Sequence, residues 1–372
     1  MKTLRKILYN NVLYTFLSIL IGFLIGAVLL LLAGISPLTA YGKLLEGVFS
    51  QPKFLVWSVI YASPLIFTGL SVAFSFRTGV FNIGAEGQFV VGAIAACVVG
   101  ITVQAPKFLH ILLCFGAAML AGALWGAVVG LLKVKRGINE VLSYIMFNWI
   151  AFYLSNYIVN LKGIRGTGGG EATANIADSA RILLPKWFAE KTGCASVNAG
   201  ILLAVFVAFL IWFIINKTTM GYTLRAVGFN LHAARYGGIN TNRATLTAMS
   251  ISGALAALGG AVQLMGMTGR ISQFASQEGY GFEGITVALI AGSNPVGCIF
   301  SGLFYGAMKY GGTKLSLVGA PSEVVNIIMG TIILFIAVSH LFKHFITSRL
   351  EARDAAKVTA ASNTTKGDQA HG

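Results

Sequence analysis

Uncharged apolar runs of about twenty residues alternate with short gaps that carry Lys and Arg along most of the chain. A helix needs about 20 apolar residues to cross a bilayer core. The pattern predicts such spans at 12–34, 56–76, 84–103, 108–132, 140–160, 198–216, 245–267 and 322–342. A further apolar block, 284–312, is interrupted by Gly292-Ser293-Asn294-Pro295. Those residues are turn formers, and they divide the block into a short helix, 284–292, and a longer one, 295–312. The expected fold is all-α and integral to a membrane, with about ten helices, one of them too short to span alone.

Composition narrows the class. Of 372 residues, 56% are hydrophobic, 45 are glycine and only 10% are charged. A soluble domain carries about 25% charged residues, so soluble enzymes, nucleic-acid binders and disordered chains are poor readings. The net charge of +15 does not point to nucleic acid, because the basic residues sit in the gaps between spans. There they act as the orientation signal of a membrane protein. With the N-terminus in the cytoplasm, 16 of the 27 basic residues fall on the cytoplasmic side, and an even helix count brings the C-terminus there too. The first apolar run is 23 residues long, against about 7–15 for a signal-peptide core, so it is read as an uncleaved span. The expected organisation is a cytoplasmic N-terminus, 1–11, a transmembrane domain, 12–346, and a polar, disordered cytoplasmic tail, 347–372. Within the domain, 161–197 is the long external loop and 217–243 a cytoplasmic segment.

Small residues recur at helical spacing. Gly122, Gly126 and Gly130 share one helix face, and Gly22/Gly26 and Gly302/Gly306 repeat the interval. Such faces let helix backbones approach closely where no hydrophobic effect drives association. Cys97, Cys114 and Cys298 lie in apolar runs and read as small buried residues; Cys194 stands alone in a polar loop. No Cys/His cluster has metal-ligand spacing.

Some polar residues are costly where they lie. Glu86, Glu140 and Glu283 sit at or near the ends of apolar blocks, joined by Asn82, Gln88, Asn139, Asn148, Asn156, Gln263 and Asn294. Each can serve as a cap or an interhelical hydrogen bond; Asn82 and Asn139 precede predicted helices and suit the cap role. As a set they suggest an aqueous path through the bundle. No span contains Asp or a row of Arg, which argues against a proton-coupled transporter and a voltage sensor.

The segment 217–243 carries four basic residues and no acidic one. Within it Asn230 is a good N-cap and Gly237-Gly238 a good stop. They enclose a helix of under two turns, 231–236, read as exposing Ala233 and Ala234. A short helix with small side chains fits a groove on another protein, whereas a loop that only anchors topology needs no helix.

Four stretches make the chain resemble a known family, the membrane permeases of ATP-driven importers of the ribose and branched-chain amino-acid type. They are Phe76-Arg77-Thr78-Gly79-Val80-Phe81-Asn82-Ile83-Gly84-Ala85-Glu86-Gly87-Gln88, Gly137-Ile138-Asn139-Glu140-Val141-Leu142-Ser143-Tyr144-Ile145-Met146-Phe147-Asn148, the segment 221–239, and Gly281-Phe282-Glu283-Gly284-Ile285-Thr286-Val287-Ala288-Leu289 followed by Asn294-Pro295. Within the family the chain looks most like the nucleoside-importer permeases, by its Gly-x-Asn-Glu-Val run with a later Met-x-x-Asn.

The resemblance implies a type II-like importer permease in a bacterial cytoplasmic membrane. It implies two permeases around a central path and two ATPase subunits on the cytoplasmic side. An extracytoplasmic substrate-binding lipoprotein would deliver the solute. The length and the 161–197 loop look like the longer of two permeases encoded together, which implies a heterodimer with a shorter paralogue. The segment 221–239 matches the family's coupling helix, so Arg225, Asn230, Ala233, Ala234, Tyr236 and Gly237 are candidates for ATPase coupling. Asn82, Glu86, Gln88, Asn139, Glu140, Asn148, Gln263 and Glu283 are candidates to line or shape the path.

No Gly-x-x-x-x-Gly-Lys-[Ser/Thr] phosphate loop occurs; Gly42-Lys43-Leu44 and Gly312-Thr313-Lys314 lack the pattern. The chain is therefore expected to bind no cofactor, with ATP and Mg held by the partner ATPase. Three rivals stay open. One is a permease for a simple sugar such as a pentose. Another is an ion-coupled secondary transporter. The weakest is a membrane enzyme, because His110, His232, His340 and His344 are scattered and no carboxylate pair converges.

Overall fold

The computed structural model describes residues 11–167, 170–321 and 323–338. The expectations for residues 1–10, Gly168, Gly169, the end of the last span and the tail 347–372 lie outside the described residues. The helices are α1 (Asn11–Leu32), α2 (Pro37–Phe49), α3 (Pro52–Arg77), α4 (Ala85–Thr102), α5 (Lys107–Arg136), α6 (Glu140–Val159), α7 (Lys186–Thr192), α8 (Gly200–Lys217), α9 (Thr219–Phe229), α10 (Leu231–Tyr236), α11 (Thr241–Gln263), α12 (Tyr280–Ile290) and α13 (Gly297–Gly312), followed by α14 (Glu323–Val338). Short 3-10 turns occur at Asp178–Ala180 and Leu315–Val318. Among the described residues there is no strand, only isolated bridges in and around the 161–197 loop.

Six helices are long and apolar enough to cross a membrane: α1, α3, α4, α5, α8 and α11 with its continuation to Thr268. The remaining expected spans appear as α6, as the shorter α12 and α13, and as α14, whose described part ends at Val338. The turn at 292–295 falls where the sequence placed it. Gly292 and Ser293 both take positive φ, and Asn294 Oδ1 accepts from the Val296 N–H at 3.0 Å. α2 was not anticipated. Lys43 and Glu46 interrupt its apolar pattern, yet Ala40, Leu44, Gly47 and Val48 form one buried stripe along it.

Two compact units make up the chain. One comprises the two ends, through Pro37 and from Glu323; the other is 38–322. In the first, Gly22 of α1 abuts Ile332 of α14 so closely that a Cβ would collide with it. In the second, α3, α4 and α11 are the enclosed helices. Within their most apolar stretches 83%, 72% and 72% of residues are buried, against 22% for α5 and 33% for α8. α11 packs on α3, α4 and α5, while α3 also meets α8, α12 and α13.

The glycine periodicity explains these contacts. Gly122 and Gly126 of α5 meet the backbone of Gly253 and Met249 on α11, and Gly306 of α13 meets Ala62 of α3. A side chain at Gly253 would run into the Gly122 carbonyl, which is backbone and cannot move aside. Gly253→Leu is expected to cost about 1–3 kcal/mol or more through overpacking, read as a lower melting temperature in detergent. Gly42→Leu is the control, since nothing lies within 4 Å of a Cβ there.

The helix α3 sets the axis of this unit. At 1.5 Å per residue its 26 residues reach about 39 Å. Lys53, at one end, lies 3.9 Å from the Cβ position of Gly193 in the 161–197 loop. Arg77, at the other, is in contact with α9 through Gly228. The long loop and the 217–243 segment therefore stand at opposite ends of a membrane-length helix.

Candidate functional site

At the Arg77 end, α9 and α10 form a compact bracket. α10 has the boundaries its caps predict: Asn230 Oδ1 accepts from the Ala233 N–H at 3.0 Å, and Gly238 takes φ +81°. Ala233 is exposed as expected, but Ala234 is not. Its side chain is only 6% exposed and faces this chain's own bundle. Bulk at 234 would thus disturb how α10 is seated, so the expectation that both alanines present themselves to a partner is corrected.

The conspicuous outward groups are instead Phe229 and Tyr236, 91% and 95% exposed at the two ends of α10. Arg225 is partly buried, its Nε donating to the Gly221 carbonyl at 3.4 Å, and Gly237 is the C-cap. The bracket is fixed to the spans. A Cβ on Gly228 would lie 2.6 Å from the Arg77 carbonyl oxygen, so α9 touches the end of α3 backbone to backbone.

Deeper in the unit the polar residues sort by role. Asn82 and Gln88 are fully enclosed and do not face open space. Asn82 Nδ2 lies 2.6–3.0 Å from Ser71 Oγ, Gln88 Oε1 and Ser252 Oγ. Its Oδ1 accepts from the Gly84 N–H at 3.0 Å, so it shapes the turn before α4, while Gly84 itself holds the N-cap position. Ser71 and Ser252 are joined at 2.9 Å, which knots α3, α4 and α11 together. Asn148 of α6 accepts from the Gly87 N–H at 2.9 Å and donates to the Ile83 carbonyl at 3.1 Å.

Glu86 is a clamp. One carboxylate oxygen accepts from the Gly279 N–H and the other from the Gly281 N–H, both at 2.7 Å. It thereby holds the first turn of α12 against the first turn of α4, and its negative charge suits the positive end of that helix. Glu283 pairs with Lys309 of α13 at 2.6 Å, and the same ammonium lies 3.8 Å from the Tyr280 ring centroid. Glu140 pairs with Lys133 at the α5–α6 junction, beside Asn139, which caps α6 through the Val141 N–H at 2.8 Å. These residues tie helices to one another.

Gln263 alone of the eight path candidates borders the described cavity that lies beyond α11, about 410 Å³ in volume. Here the helix changes winding: Leu264–Thr268 form a π turn, a feature that recurs at functional sites. The non-helical segment 269–279 follows and closes the cavity with Arg270, Ser272, Phe274 and Glu278.

That segment is held from several sides. Asn156 of α6 grips the backbone of Phe274 twice, donating to its carbonyl at 2.9 Å and accepting from its N–H at 2.8 Å. Thr173 and Glu171 of the long loop bond Ile271 and Gln273, and Glu86 secures its far end. Burial, with the neighbouring Glu86 carboxylate, pushes the Glu278 carboxyl up to about 7, opposed by Lys309 and by the Gln263 amide. In the same long loop burial raises the Cys194 thiol, which marks it as an unreactive structural group.

Residues 54–337 match the family described as branched-chain amino acid transport system / permease component. The chain belongs to this family. It is 37% identical over 347 residues to the guanosine ABC transporter permease protein NupP of Bacillus subtilis, covering 93% of this chain and 98% of that one. It is 32% identical over 362 residues to the nucleoside ABC transporter permease protein NupB of Lactococcus lactis, covering 96% and 97%. The glucose ABC transporter permease protein of Haloferax volcanii is 32% identical over 336 residues, covering 88% of each chain. No solved structure matches.

The permease is thus a multi-pass membrane protein and a transport component. Phe229, Phe274 and Glu278 were absent from the sequence-based site, while Asn156 was named only among the polar residues that suggest a path. Phe229 had a local signal, an aromatic residue directly before a helix cap in a polar segment. Glu278 had none, because what singles it out is a cavity that forms where the 260–278 stretch folds against Ala93 of α4.

Proposed function

We propose that this chain is one of two permease subunits of an ATP-driven importer of nucleosides, coupled to separate ATPases through α9 and α10. The observation that carries the reading is the short, capped α10, with exposed aromatic side chains at Phe229 just before it and Tyr236 at its end, at the end of α3 opposite the long loop. Aromatic anchors of this kind dominate binding where they enter a partner's pocket. Near-complete coverage by relatives named for guanosine and nucleosides supports the substrate class. The partner permease is a shorter paralogue, and a binding lipoprotein delivers the solute at the 161–197 end.

In this reading the Arg77 end is cytoplasmic, as are both termini, and about ten helices enter the membrane. The 217–243 segment, with four basic and no acidic residues, fits that side. Closure of the ATPases on ATP displaces α10. Backbone contact between Gly228 and Arg77 passes the movement to α3, and the Asn82–Ser71–Ser252 knot carries it to α4 and α11. The bundle then alternates between outward- and inward-facing states. ATP and Mg belong to the ATPase.

A sugar permease is the second reading, favoured by the Haloferax relative. Uptake of labelled guanosine by cells expressing the full assembly separates the two. Competition by unlabelled nucleosides, with none by glucose or ribose, is the expected result; the reverse pattern would replace nucleosides with sugars.

A further inference from the structure

The cavity bordered by the π turn has the chemistry of a solute site, and what it selects can be read from its walls. Its volume of about 410 Å³ falls within the 300–1,000 Å³ usual for small-molecule sites. Its lining combines apolar residues, Ala93, Leu264 and Ile271, with the polar Gln263, Arg270 and Glu278. Phe274 belongs to the same lining, and its backbone is held by two hydrogen bonds with the Asn156 amide. A planar base stacks on an aromatic ring whatever its identity. The Glu278 carboxyl, pushed up to about 7, presents two oxygens side by side, and both are acceptors in its ionised form. In that form it suits a solute that offers two neighbouring donors, and Arg270 on the same lining adds a cationic donor for an acceptor elsewhere on the solute.

We propose that this cavity is a stopping place for the nucleoside within the permease, with Phe274 as the stacking surface and Glu278 as acceptor of a pair of adjacent donors. Two parts of a nucleoside offer that pair: the ribose 2′- and 3′-hydroxyls, and the N1–H and N2–H edge of guanine. The proposal rests on the nucleoside reading above and adds residues to it. The π turn gives it a structural basis. One turn of α11 is wound wide where Gln263 and Thr268 border the cavity, in a helix otherwise packed backbone to backbone.

The test is protection of an introduced thiol in the membrane-embedded full assembly. The four native cysteines are all buried, so Ser272→Cys, on the exposed rim of the cavity, supplies the reporter for a water-soluble maleimide. A nucleoside at about ten times its Kd slows alkylation about tenfold by mass action. Guanosine is expected to protect.

Protection by 2′,3′-dideoxyguanosine but not adenosine assigns the donor pair to the base; protection by adenosine but not dideoxyguanosine assigns it to the ribose. Adding Glu278→Gln or Phe274→Leu is expected to raise the nucleoside concentration needed for half-protection about tenfold or more. No protection by any of the three nucleosides, or equal protection in the Glu278→Gln background, overturns the cavity proposal. If guanosine is still imported by the unmodified assembly, the nucleoside reading survives that result. Protection by glucose alone overturns both.

Discussion

Replacing Phe229 and Tyr236 together by alanine is expected to abolish ATP-driven uptake and release the ATPase, while the membrane subunit stays folded. Both side chains are more than 90% exposed, so their loss removes little from this chain's own packing. Residues of this type cost about 2 kcal/mol or more each when truncated at a docking centre. Two of them correspond to roughly a thousandfold weaker association. Copurification of the ATPase with the tagged permease reads the effect directly. An unchanged melting temperature separates it from misfolding. Ala234→Trp makes the useful contrast: since Ala234 is buried, that variant should lower stability as well as coupling. Full retention of the ATPase by the Phe229/Tyr236 double variant would remove α10 from the coupling surface.

Glu86→Ala is expected to damage the bundle itself. The carboxylate takes the Gly279 and Gly281 N–H groups at the start of α12. Each buried donor left without a partner costs about 1–3 kcal/mol, and hydrogen bonds to a charged group are the stronger kind. The total of roughly 3–5 kcal/mol is a large share of a domain's net stability. Glu86→Gln keeps one acceptor and turns its amide toward the second N–H, so its loss should be intermediate. The order wild type, Gln, Ala in melting temperature and in uptake is the expected series. Identical melting of all three would show that the clamp carries no weight.

Local chemistry was legible in the sequence. The caps Asn230 and Gly238 give α10 its boundaries, Asn139 starts α6, and the residues 292–295 part α12 from α13, because each acts within a few residues of itself. The glycines at 122, 126 and 302, 306 were likewise readable, since close helix contact needs a small residue on each face. What depended on distant partners was not. Glu86 acts on residues nearly two hundred positions away, and nothing beside it in the chain marks Gly279. Ala233 and Ala234 are equivalent by composition; which one faces out depends on how α10 is rotated against the bundle. α2 escaped because Lys43 and Glu46 break an apolar run whose buried face is only four residues wide. The cavity escaped because it forms only where the 260–278 stretch meets Ala93 of α4, about 170 positions away, and because its π turn has no sequence signature.

The most direct test of the account is nucleoside uptake into proteoliposomes that contain this permease, its partner permease and the ATPase. Labelled guanosine, presented with the binding lipoprotein on the side of the 161–197 loop, is expected to accumulate only when ATP is available to the ATPase, and not with the Phe229/Tyr236 variant. Accumulation without the ATPase that collapses on addition of an ionophore would contradict the account and make the chain an ion-coupled transporter.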